Sequence, residues 1–317
     1  MSITNRRDFI KKTALTTAAI PFLSFPMNAF SRNTEDNDEL SVNIFSKHLQ
    51  FLDYYKAGEM AAELGFAGLD LTVRPKGHVE PESVVTDLPK AIRDIKKAGS
   101  NCSMITTSIE SVNNPLDVAI ITAAAKEKIQ YYRTNWFRYT ENGNMKEDLL
   151  HYQEEIKKLS ELNQKHNIIG CYQNHAGRTV GASFWEIDAI LKTAHPEYFG
   201  TQYDIRHATV EGGYSWQNGL ELLHSQIKTI VLKDTKWVNT NGVWDVKDSP
   251  IGEGMVDFKT YFKTLKKLQL KPNVSLHLEY DLGGAEKGNK KITVDQKVVF
   301  DAMKKDLNAV QKLWREA

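Results

Sequence analysis

The sequence predicts an α/β protein built as a single eight-fold β/α barrel of the TIM type. Short apolar segments alternate with amphipathic helical segments, eight such units follow one another, and several apolar segments end in polar clusters. About 285 residues remain after the N-terminal segment described below, and a barrel of this type needs about 250. We therefore expect one domain over residues 41–317.

Four β/α units are predicted in the first half of the domain. Gly65 and Gly99 follow the first two helices, as expected for residues that end a helix. The predicted strands are residues 41–45, 68–73, 102–107 and 131–135, and the predicted helices are residues 54–64, 84–98, 116–126 and 146–166.

The second half repeats this alternation. The predicted strands are residues 168–173, 200–205, 227–232 and 274–278, and the predicted helices are residues 185–194, 215–223, 258–268 and 295–314. No Gly-rich phosphate loop follows the first strand, which disfavours a dinucleotide-binding fold. Long loops over residues 234–257 and 281–293 follow barrel strands on the active-site side, where loops shape substrate pockets.

The N-terminus has the pattern of a twin-arginine export signal. Arg6 and Arg7 precede a mildly apolar run over residues 13–25 and a small-residue region that ends near Ser31. The run is shorter than the roughly 20 apolar residues of a membrane helix. We expect a signal peptide over residues 1–31, a linker over residues 32–40 and a periplasmic mature protein, with an ordinary basic arm as the alternative.

Charge and cysteine content restrict the partners. The whole chain carries a formal charge of +1, and removing residues 1–31, which carry +3, leaves −2. This balance argues against nucleic acid, and no segment predicts stable membrane insertion. Cys102 and Cys171 are expected to be buried free thiols, with a disulfide as the alternative. The expected partner is a small-molecule sugar, and a homo-oligomer is left open.

The ends of the last four predicted strands carry polar side chains. Because the barrel interior is packed, active sites of this fold are built from strand ends and the loops that follow them. We therefore expect one pocket formed by Gln173-Asn174-His175, Asp204-Ile205-Arg206-His207, Lys233-Asp234 and His277-Leu278-Glu279.

Two carboxylates, Asp204 and Glu279, are expected in this pocket, and facing carboxylates are costly without a cation. A divalent metal (Mn, Mg, Co or Zn) held by Gln173, Asp204 and Glu279 would supply one, whereas helix capping is the structural alternative.

The expected catalytic residues are Glu279, His207, Lys233 and His175. The histidines would act as acids or bases near neutral pH, and Lys233 would stabilise an enolate or instead pair with Asp234.

Six further residues are candidates for substrate binding. Arg74 and His78 lie in a polar loop after the second strand. Trp237 offers a flat surface on which a sugar ring could stack. The structural alternative is that Trp237 packs the loop against the barrel. The others are strand-end residues, namely Asn174, Arg206 and His277.

The order of these motifs resembles the xylose isomerase-like barrel superfamily, which includes sugar isomerases, ketose 3-epimerases, inosose dehydratases and apurinic-site endonucleases. The segment 173–177 is similar to the Glu-Asn-His-Gly motif of this superfamily, and the segment 204–207 is similar to its Asp-x-x-His motif. The segment 231–234 is similar to its His-x-Lys-Asp motif, and Glu279 corresponds to its terminal glutamate. The resemblance implies a metal held by Glu, Asp, His and Glu, with the glutamates also moving protons.

The chain departs from this pattern twice. Gln173 replaces the first glutamate and Val231 replaces the histidine. An amide cannot accept and return a proton near pH 7, which excludes a two-base epimerase mechanism through Gln173. We expect a weaker metal site held by a rearranged ligand set, with no metal as the alternative.

The resulting functional expectation is an exported, carbohydrate-active enzyme of the sugar isomerase/epimerase superfamily. A base, Glu279 or a histidine, would remove a proton next to a sugar carbonyl while a metal or Lys233 stabilises the enolate. The alternatives are a keto-sugar lyase or hydratase and a non-catalytic carbohydrate-binding barrel.

Overall fold

The computed structural model of the protein describes residues 39–317. The expected signal peptide, residues 1–31, and the expected linker up to residue 38 lie outside the described residues.

Eight parallel strands close into a barrel, which confirms the predicted fold class. The barrel strands are β1 (Val42–Phe45), β2 (Gly68–Val73), β3 (Met104–Thr107), β4 (Tyr131–Arg133), β5 (Ile169–Gln173), β6 (Phe199–Asp204), β7 (Ile227–Leu232) and β10 (Asn273–Leu276). Around the barrel these strands follow the order β1-β10-β7-β6-β5-β4-β3-β2, with β1 also paired to β2.

Helices connect the strands, as the alternating pattern predicts. Asp53 caps the first helix by accepting a hydrogen bond from the Lys56 amide, and Gly65 ends it at φ 86°. The helices are α1 (Tyr54–Leu64), α2 (Val84–Lys97), α3 (Pro115–Lys126), α4 (Met145–His166), α5 (Phe184–Leu191), α6 (Ile205–Gly212), α7 (Trp216–Leu223), α8 (Phe258–Lys267) and α9 (Gln296–Arg315).

The chain turns into a helix directly after β6, where the sequence predicts one more strand residue. Asp204 ends the strand and caps α6, because its carboxylate accepts a hydrogen bond from the His207 amide at 3.1 Å. Arg206 and His207 therefore lie in the first turn of α6, at the mouth of the barrel.

The predicted loop over residues 234–257 contains an antiparallel hairpin of β8 (Asp234–Thr240) and β9 (Val243–Ser249). Its turn uses Asn241 and Gly242 at φ 54° and 84°, the left-handed backbone that two-residue hairpin turns require. The rest of the loop folds over the Asp234 carboxylate, which accepts hydrogen bonds from the amides of Gly252, Gly254 and Val256. The Asp234 carboxylate thus stabilises this loop.

Apolar side chains fill the space between the barrel and the helices. The two cysteines are buried free thiols, as predicted, although Cys102 lies just before β3. None of the helices in residues 39–317 is long and apolar enough to cross a membrane.

Candidate active site

A cavity of about 420 Å³ opens at the carboxyl ends of the barrel strands. This volume lies within the range of small-molecule sites. Its walls combine two aromatic rings with charged and polar side chains: Phe45, Lys47, Arg74, Arg133, Trp136, Gln173, His175, Arg206, His207, Lys233, Asp248, His277 and Glu279.

The structure brings together most of the site residues that the sequence predicts. Eight of them line the cavity: Arg74, Gln173, His175, Arg206, His207, Lys233, His277 and Glu279. Asp204 is fully buried and contacts three of these residues.

Asp204 lies at the centre of a buried polar cluster. Its Oδ2 accepts a hydrogen bond from Gln173 Nε2 at 2.7 Å and lies 3.1 Å from Lys233 Nζ. Gln173 Oε1 in turn accepts a hydrogen bond from Arg133 at 3.3 Å. The amide of Gln173 therefore joins a carboxylate on one side to a guanidinium on the other.

Lys233 also contacts His207, with 2.8 Å between Nζ and His207 Nε2. An ammonium group can only donate, so Nε2 is the acceptor in this contact, while Nδ1 lies 3.2 Å from Nη1 of Arg206, a second donor. Burial, with the charge of Lys233 adding to it, holds the pKa of His207 well below its ordinary value. The imidazole is neutral and orients the ammonium group.

Glu279, which follows β10, forms a second charged cluster in the cavity wall. Its Oε2 lies 2.5 Å from Lys47 Nζ, and its Oε1 lies 3.4 Å from Nδ1 of His277, whose ring stacks on Phe45. Burial by itself would raise the pKa of Glu279, but His277, Lys47 and Lys233 hold it well below its ordinary value. Glu279 is therefore ionised near neutral pH.

His175 lies between Trp136 and His207, with ring centroids 4.3 and 4.0 Å away. Its Nδ1 donates a hydrogen bond to the Ala176 carbonyl at 2.8 Å, which leaves Nε2 as the acceptor nitrogen. Burial, aided by the charge of Lys233, lowers the pKa of His175 to about 4. This histidine is a neutral base at the cavity wall.

Arg206 ties the hairpin to the barrel. Its Nε and Nη2 each lie 2.9 Å from Oδ1 of Asp248, which is on β9. The hairpin thereby contributes Asp248 to the cavity wall.

Three expected substrate-binding residues lie elsewhere. The Asn174 side chain bonds to the backbone N–H and C=O of Asp204, so it links β5 to β6. His78 lines a separate cavity beside α1 and α2, and its backbone N–H donates to the Thr72 hydroxyl at 2.9 Å. Trp237 is 45% exposed on the hairpin, outside the cavity lining. These positions do not support contact with a substrate in the main cavity.

Five lining residues escape the sequence analysis: Phe45, Lys47, Arg133, Trp136 and Asp248. Four of them lie at or just after the ends of β1 and β4, and a position at a strand end is a signal for the active-site face of this fold. Asp248 had no such signal, because only the folding of the hairpin brings it to Arg206.

The residues present do not fit the divalent metal that the resemblance implies. Lys233 and the Gln173 amide already occupy Oδ2 of Asp204, while Lys47 neutralises Glu279. Val231 supplies no ligand atom, and within residues 39–317 no group of three or more His, Cys, Asp or Glu side chains is placed to hold an ion. Two lysines provide positive charge next to the carboxylates that were expected to bind the metal.

Solved structures with the same fold include several sugar-active proteins. D-psicose 3-epimerase with D-tagatose from Clostridium cellulolyticum H10 is 12% identical, with a TM-score of 0.65 over 87% of this chain and 99% of that chain. The apo form of 3-keto-D-glucoside 4-epimerase from E. coli is 10% identical, with a TM-score of 0.62 over 84% of this chain and 98% of that chain.

A third structure, a xylose isomerase-like TIM barrel protein from Mycobacterium smegmatis in complex with magnesium, is 11% identical. Its TM-score is 0.63 over 87% of this chain and 98% of that chain. At these identities the likeness establishes the fold. No curated protein matches the chain.

The family-level sequence comparison covers most of the barrel. The profile described as xylose isomerase-like TIM barrel matches residues 59–294, which include every polar strand end from Arg74 to Glu279. The chain therefore belongs to the xylose isomerase-like TIM barrel family.

Proposed function

We propose that the protein is a sugar-directed enzyme that removes a proton next to the carbonyl of a keto-sugar. The observation that carries the proposal is that an ionised carboxylate, Glu279, and a buried ammonium group, Lys233, line one cavity. The similar structures described as 3-epimerase and 4-epimerase agree with this class of chemistry.

In this mechanism Glu279 is the base. The C–H bond next to the carbonyl breaks, its electron pair forms the enolate double bond, and the proton moves to the carboxylate. The negative charge that develops on the carbonyl oxygen is stabilised by the Lys233 ammonium, which Asp204 and His207 orient. Return of a proton to the opposite face gives an epimer, whereas return to the neighbouring carbon gives an isomer.

His175 supplies the second acid–base group. Its Nε2 carries a free lone pair because Nδ1 donates to the Ala176 carbonyl. In isomerisation it accepts the proton of the hydroxyl next to the enolate double bond and returns it to the enolate oxygen, while the proton held by Glu279 returns to carbon. Gln173 takes no part in proton transfer and positions Asp204.

We also propose that the protein is exported to the periplasm. The support is the Arg6-Arg7 pair followed by the apolar run over residues 13–25. Replacing both arginines by lysine should leave the full-length chain in the cytoplasm, as measured by fractionation and mass spectrometry. Unchanged export of the double-lysine variant would contradict this proposal.

The catalytic proposal is tested by incubating the protein with a panel of keto-sugars in D₂O. We expect deuterium at the carbon next to the carbonyl, detected by NMR and mass spectrometry. Glu279→Gln and Lys233→Met should each lower the exchange rate by about 100-fold or more, as expected for loss of a general base or of enolate stabilisation. Lys236→Met, which removes an exposed lysine of the hairpin, should leave the rate unchanged.

The products separate the remaining alternatives. A new retention time at unchanged mass in H₂O indicates isomerisation or epimerisation, whereas loss or gain of one water indicates a lyase or hydratase. Because lysines neutralise both carboxylates, we expect EDTA to leave the rate unchanged. The absence of exchange with every sugar that the protein binds would favour a carbohydrate-binding barrel.

A further inference from the structure

Within residues 39–317, two of the five cationic side chains that line the cavity lack a carboxylate partner. Lys47 pairs with Glu279, Lys233 with Asp204, and Arg206 with Asp248. Among residues 39–317, no carboxylate lies within 4 Å of the guanidinium of either remaining residue, Arg74 or Arg133. The cavity therefore has two positive charges that the described protein atoms do not neutralise by direct contact.

Arg133 is the stronger indicator of a ligand. The residue is only 4% exposed, and its guanidinium lies 4.3 Å from the centre of the Trp136 ring. Of its five N–H donors, one is accounted for by the 3.3 Å bond to Gln173 Oε1. Burial, reinforced by the nearby charge of Arg74, lowers the pKa of Arg133 to about 9. A buried, incompletely bonded guanidinium is costly unless an anion approaches it.

Arg74 extends the same positive surface. Its guanidinium lies 5.5 Å from the Phe45 ring centre, and its side chain has no hydrogen-bond partner within the described part of the chain. Arg74 follows β2 and Arg133 ends β4, so the two residues flank β3 on one side of the barrel mouth. Lys233 follows β7, which is four strands away from β3 around the eight-stranded barrel.

We propose that the substrate carries an anionic oxygen group, a carboxylate, sulfate or phosphate, which Arg133 and Arg74 bind across the cavity from Lys233. The proposal rests on the keto-sugar function above and narrows its substrate class to acidic sugars. A guanidinium matches such groups with paired N–H donors and keeps its charge at neutral pH. A neutral hydroxyl could accept one hydrogen bond but could not offset the two charges.

The experiment measures binding without turnover. Four sugars that differ only at carbon 6 are titrated calorimetrically at matched low ionic strength: D-glucose, D-glucuronate, glucose 6-sulfate and glucose 6-phosphate. We expect at least one anionic sugar to bind the wild-type protein about 10- to 100-fold more tightly than glucose, the gain expected from hydrogen bonds to a charged group. The anion that binds best identifies the group among carboxylate, sulfate and phosphate.

Matched arginine variants locate the effect. Arg133→Gln should abolish the preference for the anion, whereas Arg138→Gln, which removes an exposed arginine five residues later, should preserve it. Arg133→Gln should unfold at the same or a higher temperature than wild type, because it removes a buried charge that lacks a carboxylate partner. Arg133→Lys retains the charge without the paired donors and should bind the anion at an intermediate level.

Equal binding of glucose and all three anions, or no binding of any of them, would overturn the proposal. An anion preference that survives in Arg133→Gln would also overturn it. Anion binding through Arg133 without deuterium exchange on any acidic keto-sugar would leave this site in place and contradict only the catalytic function.

Discussion

Gln173 shows how one substitution can change the electrostatics of a site. Its amide donates to Asp204 and accepts from Arg133, two roles that a carboxylate could not perform together. With glutamine at this position, Lys233 is the closest cation to Asp204. The loss of the expected glutamate and the position of the lysine are thus parts of the same arrangement.

The Gln173→Glu variant tests this interpretation. A second carboxylate would face Asp204 at the position of a 2.7 Å hydrogen bond, so we expect the free energy of unfolding to fall by about 1–3 kcal/mol at pH 7. The paired carboxylates should also create affinity for hard cations. We expect Mn²⁺ or Mg²⁺ to raise the unfolding temperature of this variant and to leave that of the wild type unchanged.

Gln173→Met is the matched control, because it removes the amide without adding charge. It should be destabilised yet insensitive to the metals. A wild-type protein that is itself stabilised by stoichiometric Mn²⁺ or Mg²⁺ would show that the lysines do not exclude a metal and that the sequence expectation holds.

Among the elements, the hairpin β8–β9 has a definite link to the site. Arg206, in the first turn of α6, contacts Asp248 on β9 through two nitrogen atoms. Most of the hairpin beyond this contact is exposed. The ion pair is therefore one of the contacts that hold the hairpin at the edge of the cavity, together with those of its buried base.

We expect Asp248→Asn to raise KM for the turned-over sugar by roughly 5- to 30-fold, since a partly buried, charge-assisted pair contributes about 1–2 kcal/mol. The effect on kcat should be smaller, because Asp248 does not contact Glu279 or Lys233. Steady-state kinetics measure both constants.

Asp245→Asn provides a control on the same strand. This residue pairs with Lys247 in an exposed part of the hairpin, where an ion pair contributes little. Its KM should match that of the wild type. Equal KM values for the Asp248 and Asp245 variants would show that the hairpin does not take part in substrate binding.

On the scale of the whole molecule, buried histidines link stability to pH. The Nε2 of His48 accepts the Leu278 amide at 3.0 Å, which ties the loop after β10 to the turn after β1. Burial, with the nearby charge of Lys47, lowers the pKa of His48 to about 3, and burial lowers that of His78 to about 4. Both rings are neutral in the folded protein at pH 5, where the unfolded chain binds protons.

The direction in which the free energy of unfolding changes with pH follows from the lowered pKa values. The contribution of each histidine is complete above pH 6.5 and is lost as the pH falls towards the lowered pKa, about 3 for His48 and about 4 for His78, by up to about 1.4 kcal/mol per pH unit per group. Burial raises the pKa of Asp306 to about 6, and this group opposes the trend between pH 6 and 4. We expect the free energy of unfolding in urea to be several kcal/mol lower at pH 5 than at pH 7.

His48→Gln should reduce this pH dependence, because its amide cannot bind a proton in either state. His151→Gln, which replaces an exposed histidine of α4, should leave the dependence unchanged. A wild-type protein that is more stable at pH 5 than at pH 7 would show that the carboxyl groups, and not the histidines, dominate the titration.

The sequence alone determined the barrel and the position of its active-site face. Alternating apolar and amphipathic segments specify strands and helices locally, and parallel strands with helical crossovers then restrict the topology to a few arrangements. The polar ends of the strands identified seven of the residues that line the cavity, and the polar loop after the second strand identified Arg74, because strand direction assigns them to one face. These patterns involve residues that are near one another in the sequence, so they can be recognised without knowledge of distant contacts.

Only the tertiary structure decided how the charged groups pair. Lys47 and Glu279 are more than 200 residues apart in sequence, as are Ser275 and Asp70 on the barrel strands, and no local pattern predicts their contacts. Arg206 and Asp248 are 42 residues apart, and Lys233 and Asp204 are closer still, but no local pattern predicts these contacts either. A sequence shows which charges are present, but their electrostatic energies depend on distance and burial, which are set when the barrel closes. Closure thus paired both carboxylates of the expected metal site with lysines and, within residues 39–317, left Arg133 without a carboxylate partner.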